Sequence, residues 1–271
     1  MSAKERLTAR EIRGMKGRKR IVVLTCYDHP TARILDRCGV EILLVGDSLG
    51  NVVLGYDSTI PVSLEEMIHH TRAVVRAHPR ALVVVDMPFG SFQVSVEKTV
   101  EACVRVIKET GADAVKLEGG ERNLASVRAL TEIGIPVMGH LGLTPQSILQ
   151  LGGYRVQGRG PQGEQMLEEA KGLEQAGCFS LVLESVPAKL AERITGAIRI
   201  PTIGIGAGPA CDGQVLVLHD MLGLYEGFQP RFVKRYAELG RAIEEAVRAY
   251  RREVEEGIFP GPEHLFGEGK E

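Results

Sequence analysis

The sequence has neither a strong charge imbalance nor a long apolar segment, and both absences limit what the protein can do. Its 33 lysine and arginine residues nearly balance 35 aspartate and glutamate residues, which leaves a formal net charge of −2. Such a balance gives no support for nucleic acid or an anionic membrane surface as a partner. No apolar run approaches the roughly 18 residues needed to cross a bilayer. We therefore expect an enzyme of small molecules that binds neither nucleic acid nor membrane.

Cysteine is scarce, and its spacing excludes two common kinds of stabilising site. The chain has five cysteines, an odd number, and no two of them form a Cys-x-x-Cys pair. Neither a zinc knuckle nor a disulfide framework is indicated, so we expect reduced, mostly buried thiols. The segment Gly204–Gly208 follows an apolar run, but Pro209 stands where a dinucleotide-binding fingerprint needs glycine. The charged segment Met1–Arg20 lacks the apolar core of a signal peptide, which favours a cytoplasmic protein.

One pattern occurs eight times along the chain: an apolar run followed by a helical segment. The eight predicted strands are Ile21–Asp28, Val40–Asp47, Ala81–Asp86, Ala114–Glu118, Pro136–His140, Ser180–Glu184, Pro201–Gly206 and Gln214–Asp220. Continuous apolar strands that alternate with helices indicate a parallel sheet covered by helices. Eight such units predict an α/β fold of the closed (β/α)₈ barrel type.

The segments outside this repeat complete the predicted organisation. We expect a single barrel domain over residues 1–271, with a helical extension at residues 1–20. Two connections, Asn51–Val62 and the glycine-rich Gln150–Gly163, have no clear helical period and are predicted to be loops over the barrel mouth. After the eighth strand, Phe232–Gly257 predicts one long charged helix, and residues 259–271 an arm on this or another subunit.

The predicted strand Ala114–Glu118 carries charges where a buried strand should have none. Side chains alternate faces along a strand, so Lys116 and Glu118 point the same way while Val115 and Leu117 point the other way. An exposed edge strand with its polar face in water would explain the pair. In a closed barrel both charges face the interior, where burial is costly and usually has a chemical reason.

Acidic residues end nearly all the predicted strands. In barrels of this type the active site lies at the carboxyl ends of the strands, so these side chains are predicted to converge on one mouth. Three converging carboxylates suggest a hard divalent cation such as Mg²⁺, and Asp47, Asp86 and Glu118 are the candidate ligands. The alternative for any single acid is a helix cap, and that alternative is strongest for Asp28 and Asp220.

Five separated motifs resemble those of the ketopantoate hydroxymethyltransferase family, in order, between about Thr8 and Phe266. They lie at residues 45–50, 115–120, 139–146, 152–159 and 203–208. The resemblance implies a (β/α)₈ barrel in a ring-like homo-oligomer, usually a decamer. It also implies one Mg²⁺ per subunit, 5,10-methylenetetrahydrofolate as co-substrate and a place in pantothenate and coenzyme A biosynthesis. Where the family has Glu-Cys-Val-Pro, residues 184–187 have a serine in place of the cysteine.

The resemblance also assigns roles to individual residues. It places the metal at Asp47, Asp86 and Glu118, substrate contacts at Ser48 and Lys116, and the general base at Glu184. We also expect Asp47, Asp86 and His140 to bind the substrate, His140 as a hydrogen-bond donor. The hypothesis that follows is an enolate mechanism on 3-methyl-2-oxobutanoate. Mg²⁺ and Lys116 offset negative charge, Glu184 removes the proton, and the enolate attacks the methylene group of the folate. A structural histidine bonded to backbone is the alternative for His140.

Two other functions fit the same acid-rich barrel. The phosphoenolpyruvate mutase and isocitrate lyase group also stabilises an enolate, but its lyases use a cysteine on a flexible loop, and neither predicted flap contains cysteine. A barrel without catalysis that senses an oxo acid or a folate is the other alternative. The presence of Glu184 together with three carboxylates argues against it.

Overall fold

The computed structural model describes residues 6–266 except 154, 226 and 228, so Tyr154 of the fourth motif lies outside the described residues. Within this range eight parallel strands form a closed barrel in the order β1 to β8. Their bounds are β1 Ile21–Thr25, β2 Ile42–Val45, β3 Leu82–Asp86, β4 Ala114–Glu118, β5 Val137–Gly142, β6 Ser180–Glu184, β7 Thr202–Ile205 and β8 Gly213–Leu216. The predicted (β/α)₈ barrel is confirmed.

Helices alternate with these strands. They are α1 Ala9–Gly14, α2 His29–Arg37, α3 Leu49–Val52, α4 Leu64–Val75, α5 Val96–Thr110, α6 Leu124–Glu132, α7 Ile148–Leu151, α8 Gln162–Gln175, α9 Ala188–Ala197, α10 Leu218–Met221 and α11 Leu239–Glu255. Short 3₁₀ turns lie at Glu121–Asn123, Pro145–Ser147 and Pro262–His264. Among the described residues no helix is both long and apolar enough to cross a membrane.

The barrel interior changes from apolar to charged along the strand direction. Near the amino ends of the strands, side chains such as Ile42 and Leu82 form a buried cluster that Ile12 of α1 joins. On β4 the inward residues in order are Ala114, Lys116 and Glu118, because side chains two apart share a face. Hydrophobic packing therefore closes one end of the barrel, and the buried charges lie toward the other.

Strand β4 pairs with a neighbour on each side. It is parallel to β3, with Asp86 opposite Lys116, and parallel to β5, with Glu118 opposite His140. An edge strand has one partner only, so the exposed-edge explanation of the charged pair is wrong. Lys116 is 4% exposed and Glu118 2% exposed, which confirms that both are interior residues.

Several predicted strands and loops extended beyond the bounds that the structure gives them. Strand β1 stops at Thr25, and Asp28 caps α2, because its Oδ1 accepts a hydrogen bond of 2.8 Å from the Thr31 backbone N–H. Strand β8 stops at Leu216, and Asp220 lies in α10. The predicted loop Asn51–Val62 begins with the last two residues of α3, and the predicted flap Gln150–Gly163 overlaps both α7 and α8.

The chain separates into two compact units, residues 1–218 with the barrel and residues 219–271. In the second unit the predicted helix Phe232–Gly257 begins only at Leu239. Backbone N–H groups of Tyr236, Leu239 and Gly240 donate to carbonyls of residues 221–223, and these pairings are incompatible with a continuous helix from residue 232. Of the five cysteines, four are buried and Cys38 is exposed.

Helix α4 begins with a capping box, in which Ser63 and Glu66 hydrogen-bond each other's backbone N–H groups. The Ser63 hydroxyl accepts from the Glu66 backbone N–H at 3.2 Å, and the Glu66 carboxylate accepts from the Ser63 N–H at 2.7 Å. We expect Ser63→Ala to lower the free energy of unfolding by about 1 kcal/mol, because it removes this cap. Urea unfolding measures the change. Ser63→Thr keeps the hydroxyl and should retain most of the stability; equal losses in both variants would contradict this explanation.

Candidate active site

The centre of the barrel mouth is a buried ion cluster around Lys116. Its Nζ lies 2.7 Å from Asp86 Oδ1, 3.9 Å from Glu118 Oε1 and 3.1 Å from His140 Nδ1. Burial alone would lower the pKa of this ammonium, but Asp86, Glu118 and Asp47 outweigh it and raise the pKa. Lys116 is therefore a fixed positive charge in this cluster.

His140 connects two carboxylates in the same cluster. Its Nδ1 lies 3.5 Å from Glu118 Oε1, and its Nε2 lies 3.3 Å from Glu184 Oε2. Burial and the Lys116 charge act to lower the pKa of His140, but its contacts with Glu118 and Glu184 outweigh them and raise it to about 9. Both ring nitrogens of His140 contact side chains. The alternative from the sequence, a structural histidine bonded to backbone, therefore does not describe its ring.

Asp47 is the carboxylate of this cluster whose negative charge is least compensated by neighbouring cations. It is 3% exposed, and in the described part of the chain no cationic side chain lies within 4.0 Å of it. Its backbone N–H donates to Asp86 Oδ2 at 3.2 Å. Burial first, and then repulsion from Asp86 and Glu118, raises its pKa well above the ordinary range. Added positive charge at this point would stabilise the ionised cluster.

A divalent cation fits the chemistry of these oxygen donors. In the described ranges no three histidine, cysteine, aspartate or glutamate side chains form a ready-made metal cluster. Mg²⁺ in proteins is usually held by one or two carboxylates, with water and substrate oxygens in the remaining positions. Asp47 and Asp86 meet that requirement, since both are buried and the Asp47 carboxylate has no cationic neighbour. Glu118 is drawn instead toward Lys116, His140 and Gln146.

Gln146 belongs to the site, although the sequence analysis gave it no role. Its side-chain Nε2 donates to Asp47 Oδ2 at 2.9 Å and to the Met87 carbonyl at 2.8 Å. Its backbone N–H donates to Glu118 Oε2 at 3.1 Å. One residue of the Pro145–Ser147 turn therefore fixes two of the three candidate metal carboxylates. Its position in the third motif, next to Thr144-Pro145, was the available signal.

We expect Gln146→Leu to lower the free energy of unfolding by about 1–3 kcal/mol, because it leaves the buried Met87 carbonyl and Asp47 without their donor. Urea unfolding measures this loss. Gln175→Leu, at the exposed end of α8, makes the same chemical change away from the site and should stay close to wild type. Equal stability of the two variants would show that the Gln146 hydrogen bonds contribute nothing.

Ser48 lies at the edge of this cluster. Its hydroxyl is 2.9 Å from the hydroxyl of the buried Tyr27. A Cβ atom at Gly46 would lie 2.8 Å from Ser48 Oγ and 3.4 Å from Asp86 Oδ2, so glycine lets these groups approach the strand end. Residues 46–50 also have the Gly-x-Ser-x-Gly spacing of a serine nucleophile, so our expectation from the sequence that no such elbow occurs was wrong as to spacing. A serine nucleophile is activated by a histidine that accepts its proton. Among the described residues no histidine ring hydrogen-bonds the Ser48 hydroxyl, so Ser48 lacks this activation.

Glu184 sits at the carboxyl end of β6 with its side chain 15% exposed. Ser185, the next residue, has φ of +49°, a left-handed conformation that is uncommon for residues other than glycine. Hydrogen bonds hold its backbone there, from Ser185 N–H to the Ile205 carbonyl at 2.8 Å and from Gln157 N–H to the Ser185 carbonyl at 3.0 Å. The strained residue therefore turns the chain directly after Glu184, where such strain often accompanies function.

The predicted site residues thus fall into one neighbourhood. Contacts link Asp47, Asp86, Lys116, Glu118, His140 and Glu184 in one buried network that Gln146 reinforces. A family profile described as ketopantoate hydroxymethyltransferase matches residues 6–262, which is nearly the whole chain. The chain belongs to this family.

Curated relatives agree with the family assignment. The 3-methyl-2-oxobutanoate hydroxymethyltransferase of Moorella thermoacetica is 58% identical over 268 residues, which cover 98% of this chain and 100% of that protein. The protein of the same name from Heliobacterium modesticaldum is 57% identical over 265 residues, covering 97% and 96% of the two chains. The relatives are named as transferases, so the family is one of enzymes. This argues against the alternative of a non-catalytic barrel that only senses its ligand.

Solved structures resemble the chain at the level of the fold. Phosphoenolpyruvate phosphomutase from Streptomyces platensis subsp. rosaceus superposes with a TM-score of 0.62 at 11% identity, covering 96% of this chain and 92% of that one. A 2,3-dimethylmalate lyase, described as a member of the PEP mutase/isocitrate lyase superfamily, gives 0.58 at 16% identity, with coverage of 97% and 93%. At such identities the likeness shows a shared barrel and does not transfer an activity.

Proposed function

We propose that the protein transfers a hydroxymethyl group from 5,10-methylenetetrahydrofolate to 3-methyl-2-oxobutanoate and forms 2-dehydropantoate, a step of pantothenate and coenzyme A biosynthesis. The observation that carries the proposal is 56–58% identity over nearly the whole chain to relatives named for this acceptor. The ion cluster supports it, because a 2-oxo acid needs positive charge for its oxygens and a base beside its reacting carbon. In this proposal Lys116 supplies the positive charge and Glu184 the base.

Glu184 is the proposed base. Its carboxylate removes the proton from the carbon next to the keto group, and His140, 3.3 Å from Glu184 Oε2, holds it in place. Lys116 offsets the negative charge that develops on the oxo acid, and the Ser48 hydroxyl donates a hydrogen bond to it. The resulting carbanion equivalent forms a carbon–carbon bond with the one-carbon unit. Overall, water is consumed and tetrahydrofolate is released.

We propose Mg²⁺ as the resident ion. Asp47 and Asp86 would hold it, with Glu118 contributing directly or through water. The support is the excess of buried carboxylates over cations and the raised pKa of Asp47. When bound, Mg²⁺ supplies positive charge against the oxygen atoms of the oxo acid.

An assay with single omissions tests both proposals. Wild type should form 2-dehydropantoate, detected by mass spectrometry, only when the oxo acid, the methylene donor and Mg²⁺ are all present. EDTA should abolish turnover, and added Mg²⁺ should restore it. Absence of product in the complete mixture would contradict the activity. Turnover that survives EDTA would contradict the metal site and leave the activity standing.

We also propose a homo-oligomer, for which α11 gives the support. Its apolar residues Ile243, Val247, Tyr250 and Val254 recur at helical spacing, and each is 46–59% exposed. Such a stripe resembles the face that a helix buries against a second copy. The decamer that the resemblance implies stays a prediction.

We expect Val247→Glu to shift the protein to smaller species, because it places a charge in the middle of this stripe. Sedimentation velocity measures the change in mass. Glu245→Gln, on a polar position of the same helix, is the matched control and should keep the wild-type mass. If Val247→Glu sediments like wild type, the stripe is not the interface.

A further inference from the structure

A cavity of about 600 Å³ lies next to the ion cluster and takes no part in the acid–base chemistry described above. Its walls include Gly119 and Gly120, directly after Glu118 of β4, and Leu141 and Gly142, directly after His140 of β5. Helix α8 contributes Met166 and Glu169. With a rise of about 3.3 Å per residue, Gly120 lies within roughly 7 Å of Glu118 along the strand direction. The cavity is thus a second compartment beside the reacting groups.

Two glycines of the cavity wall allow close packing at the carboxyl ends of β4 and β5. A Cβ atom at Gly120 would lie 2.5 Å from Glu169 Cδ, so only glycine lets that carboxylate rest against the chain. Gly142 has φ of +98°, and a Cβ atom there would collide with the Glu184 carbonyl oxygen. Glycine at these positions therefore lets the carboxyl ends of β4 and β5 pack closely against Glu169 and against the end of β6.

Glu169 is the more buried of the two acidic residues that line this cavity, Glu121 and Glu169. The side chain is half-buried, and in the part of the chain that the structure describes no lysine or arginine nitrogen lies within 4.0 Å of its carboxylate. Burial raises its pKa, and hydrogen bonds from the Glu121 backbone N–H and the Gln165 side chain, together with the charge of Arg122, only partly oppose that effect. The neighbouring acid Glu168, in contrast, pairs with Lys171 at 2.7 Å on the surface. A carboxylate can accept about four hydrogen bonds, so Glu169 keeps acceptor capacity for a ligand.

The rest of the lining fits a planar heterocycle with polar edges. Met166 and Leu141 are buried apolar residues that can pack on a ring face. Amides of Gln157, Gln162 and Gln165 provide donors and acceptors around it. Pockets of about 300–1,000 Å³ with an apolar wall and a few placed polar groups are typical of small-molecule sites. The ring of a reduced pterin has this character, with an amino group and a ring N–H side by side on one edge.

We propose that this cavity binds the pterin ring of the one-carbon donor, with Glu169 accepting hydrogen bonds from its amino and ring N–H groups. The inference rests on the proposed function, because it assigns the second substrate a place. A carboxylate that accepts two parallel N–H groups is a strong and directional contact. The methylene carbon attached to the reduced ring is then held beside the end of β4, next to the compartment of the oxo acid.

The decisive variant is Glu169→Gln, with Glu168→Gln as the matched control one residue away. Glu169→Gln keeps the size of the side chain but replaces the charged acceptor, so we expect the KM for 5,10-methylenetetrahydrofolate to rise about 10- to 100-fold. The KM for 3-methyl-2-oxobutanoate should stay within about twofold, since charged hydrogen bonds to that substrate are unchanged. Glu168→Gln should behave as wild type for both substrates.

Direct binding gives a second measurement that does not depend on turnover. Isothermal titration with tetrahydrofolate itself should show the same loss of affinity in Glu169→Gln, while circular dichroism and thermal unfolding confirm that the variant is folded. Wild-type affinity and KM for the donor in a folded Glu169→Gln would overturn the pterin site. Absence of 2-dehydropantoate formation by wild type would instead overturn the proposed function, so the two failures are distinguishable.

Discussion

Glu184→Gln lowers kcat at least about 100-fold in our account, because a positioned general base contributes roughly 10²- to 10⁴-fold to a proton transfer. Glutamine has nearly the shape of glutamate but cannot accept the substrate proton. The amide oxygen of the introduced glutamine can still accept a hydrogen bond from His140 Nε2–H, so the fold of the mouth should persist. The loss therefore falls on kcat, with little change in the KM for the oxo acid.

Steady-state assays of purified variants measure this loss. Glu192→Gln is the matched control, because Glu192 lies exposed on α9, the helix that follows β6. It should retain wild-type kcat, and thermal unfolding of Glu184→Gln should show a folded protein. Wild-type turnover in Glu184→Gln would assign the base to another residue of the cluster.

Lys116→Met has the second large effect, and it falls on stability. Removing one partner of a buried ion pair costs about 3–5 kcal/mol, because the remaining charges lose their compensation in a medium of low polarity. Here Asp86 and Glu118 both lie within 4.0 Å of the ammonium, and Asp47 lies in the same cluster. We therefore expect a loss of about 3 kcal/mol or more in the free energy of unfolding at pH 8.

The direction of the pH dependence follows from the carboxylates. Burial raises the pKa of both Asp47 and Asp86 in the folded protein. A raised folded-state pKa means that these two groups bind protons more readily in the folded protein than in the unfolded chain, so through them lower pH stabilises the fold relative to higher pH. Against the effect of burial, the pKa of Glu118 is lowered by its contacts with His140 and Lys116, and it acts in the opposite direction in wild type. Loss of the lysine charge raises these pKa values further. The deficit of Lys116→Met should therefore shrink as the pH falls from 8 toward 5.

Urea unfolding at several pH values tests this second prediction. Lys171→Met is the control, since Lys171 forms a solvent-exposed pair with Glu168, and such pairs contribute about 0–1 kcal/mol. Added Mg²⁺ should recover part of the lost stability of Lys116→Met, because an ion that binds the folded state alone stabilises it by mass action. A deficit that neither pH nor Mg²⁺ alters would point to lost packing as the cause.

The barrel and most of the ion cluster were predictable because strand periodicity is simple. Inward residues recur every second position, so Lys116 and Glu118 had to share a face once β4 had neighbours on both sides. Strand ends were less predictable. Apolar runs at β1 and β8 continue past the last ladder hydrogen bond, so Asp28 was counted as a strand end although it caps a helix.

Contacts made by turns and loops were the part that sequence did not reveal. Gln146 reaches Asp47, 99 positions away along the chain, and no periodic pattern reports such a distance. The left-handed Ser185 likewise has no signal in its residue type, since serine rarely adopts that conformation. The half-buried Glu169 had the pattern of an ordinary surface acid on α8, and only the glycine at position 120 shows how closely the chain approaches it.

Proton removal by the barrel mouth is the central claim, and hydrogen exchange tests it most directly. Wild type with Mg²⁺ in D₂O should exchange the hydrogen on carbon 3 of 3-methyl-2-oxobutanoate for deuterium without any folate, as followed by proton NMR. Glu184→Gln should exchange it at least about 100-fold more slowly. Equal exchange rates in the two proteins, or no enzymatic exchange by an active wild type, would contradict the account.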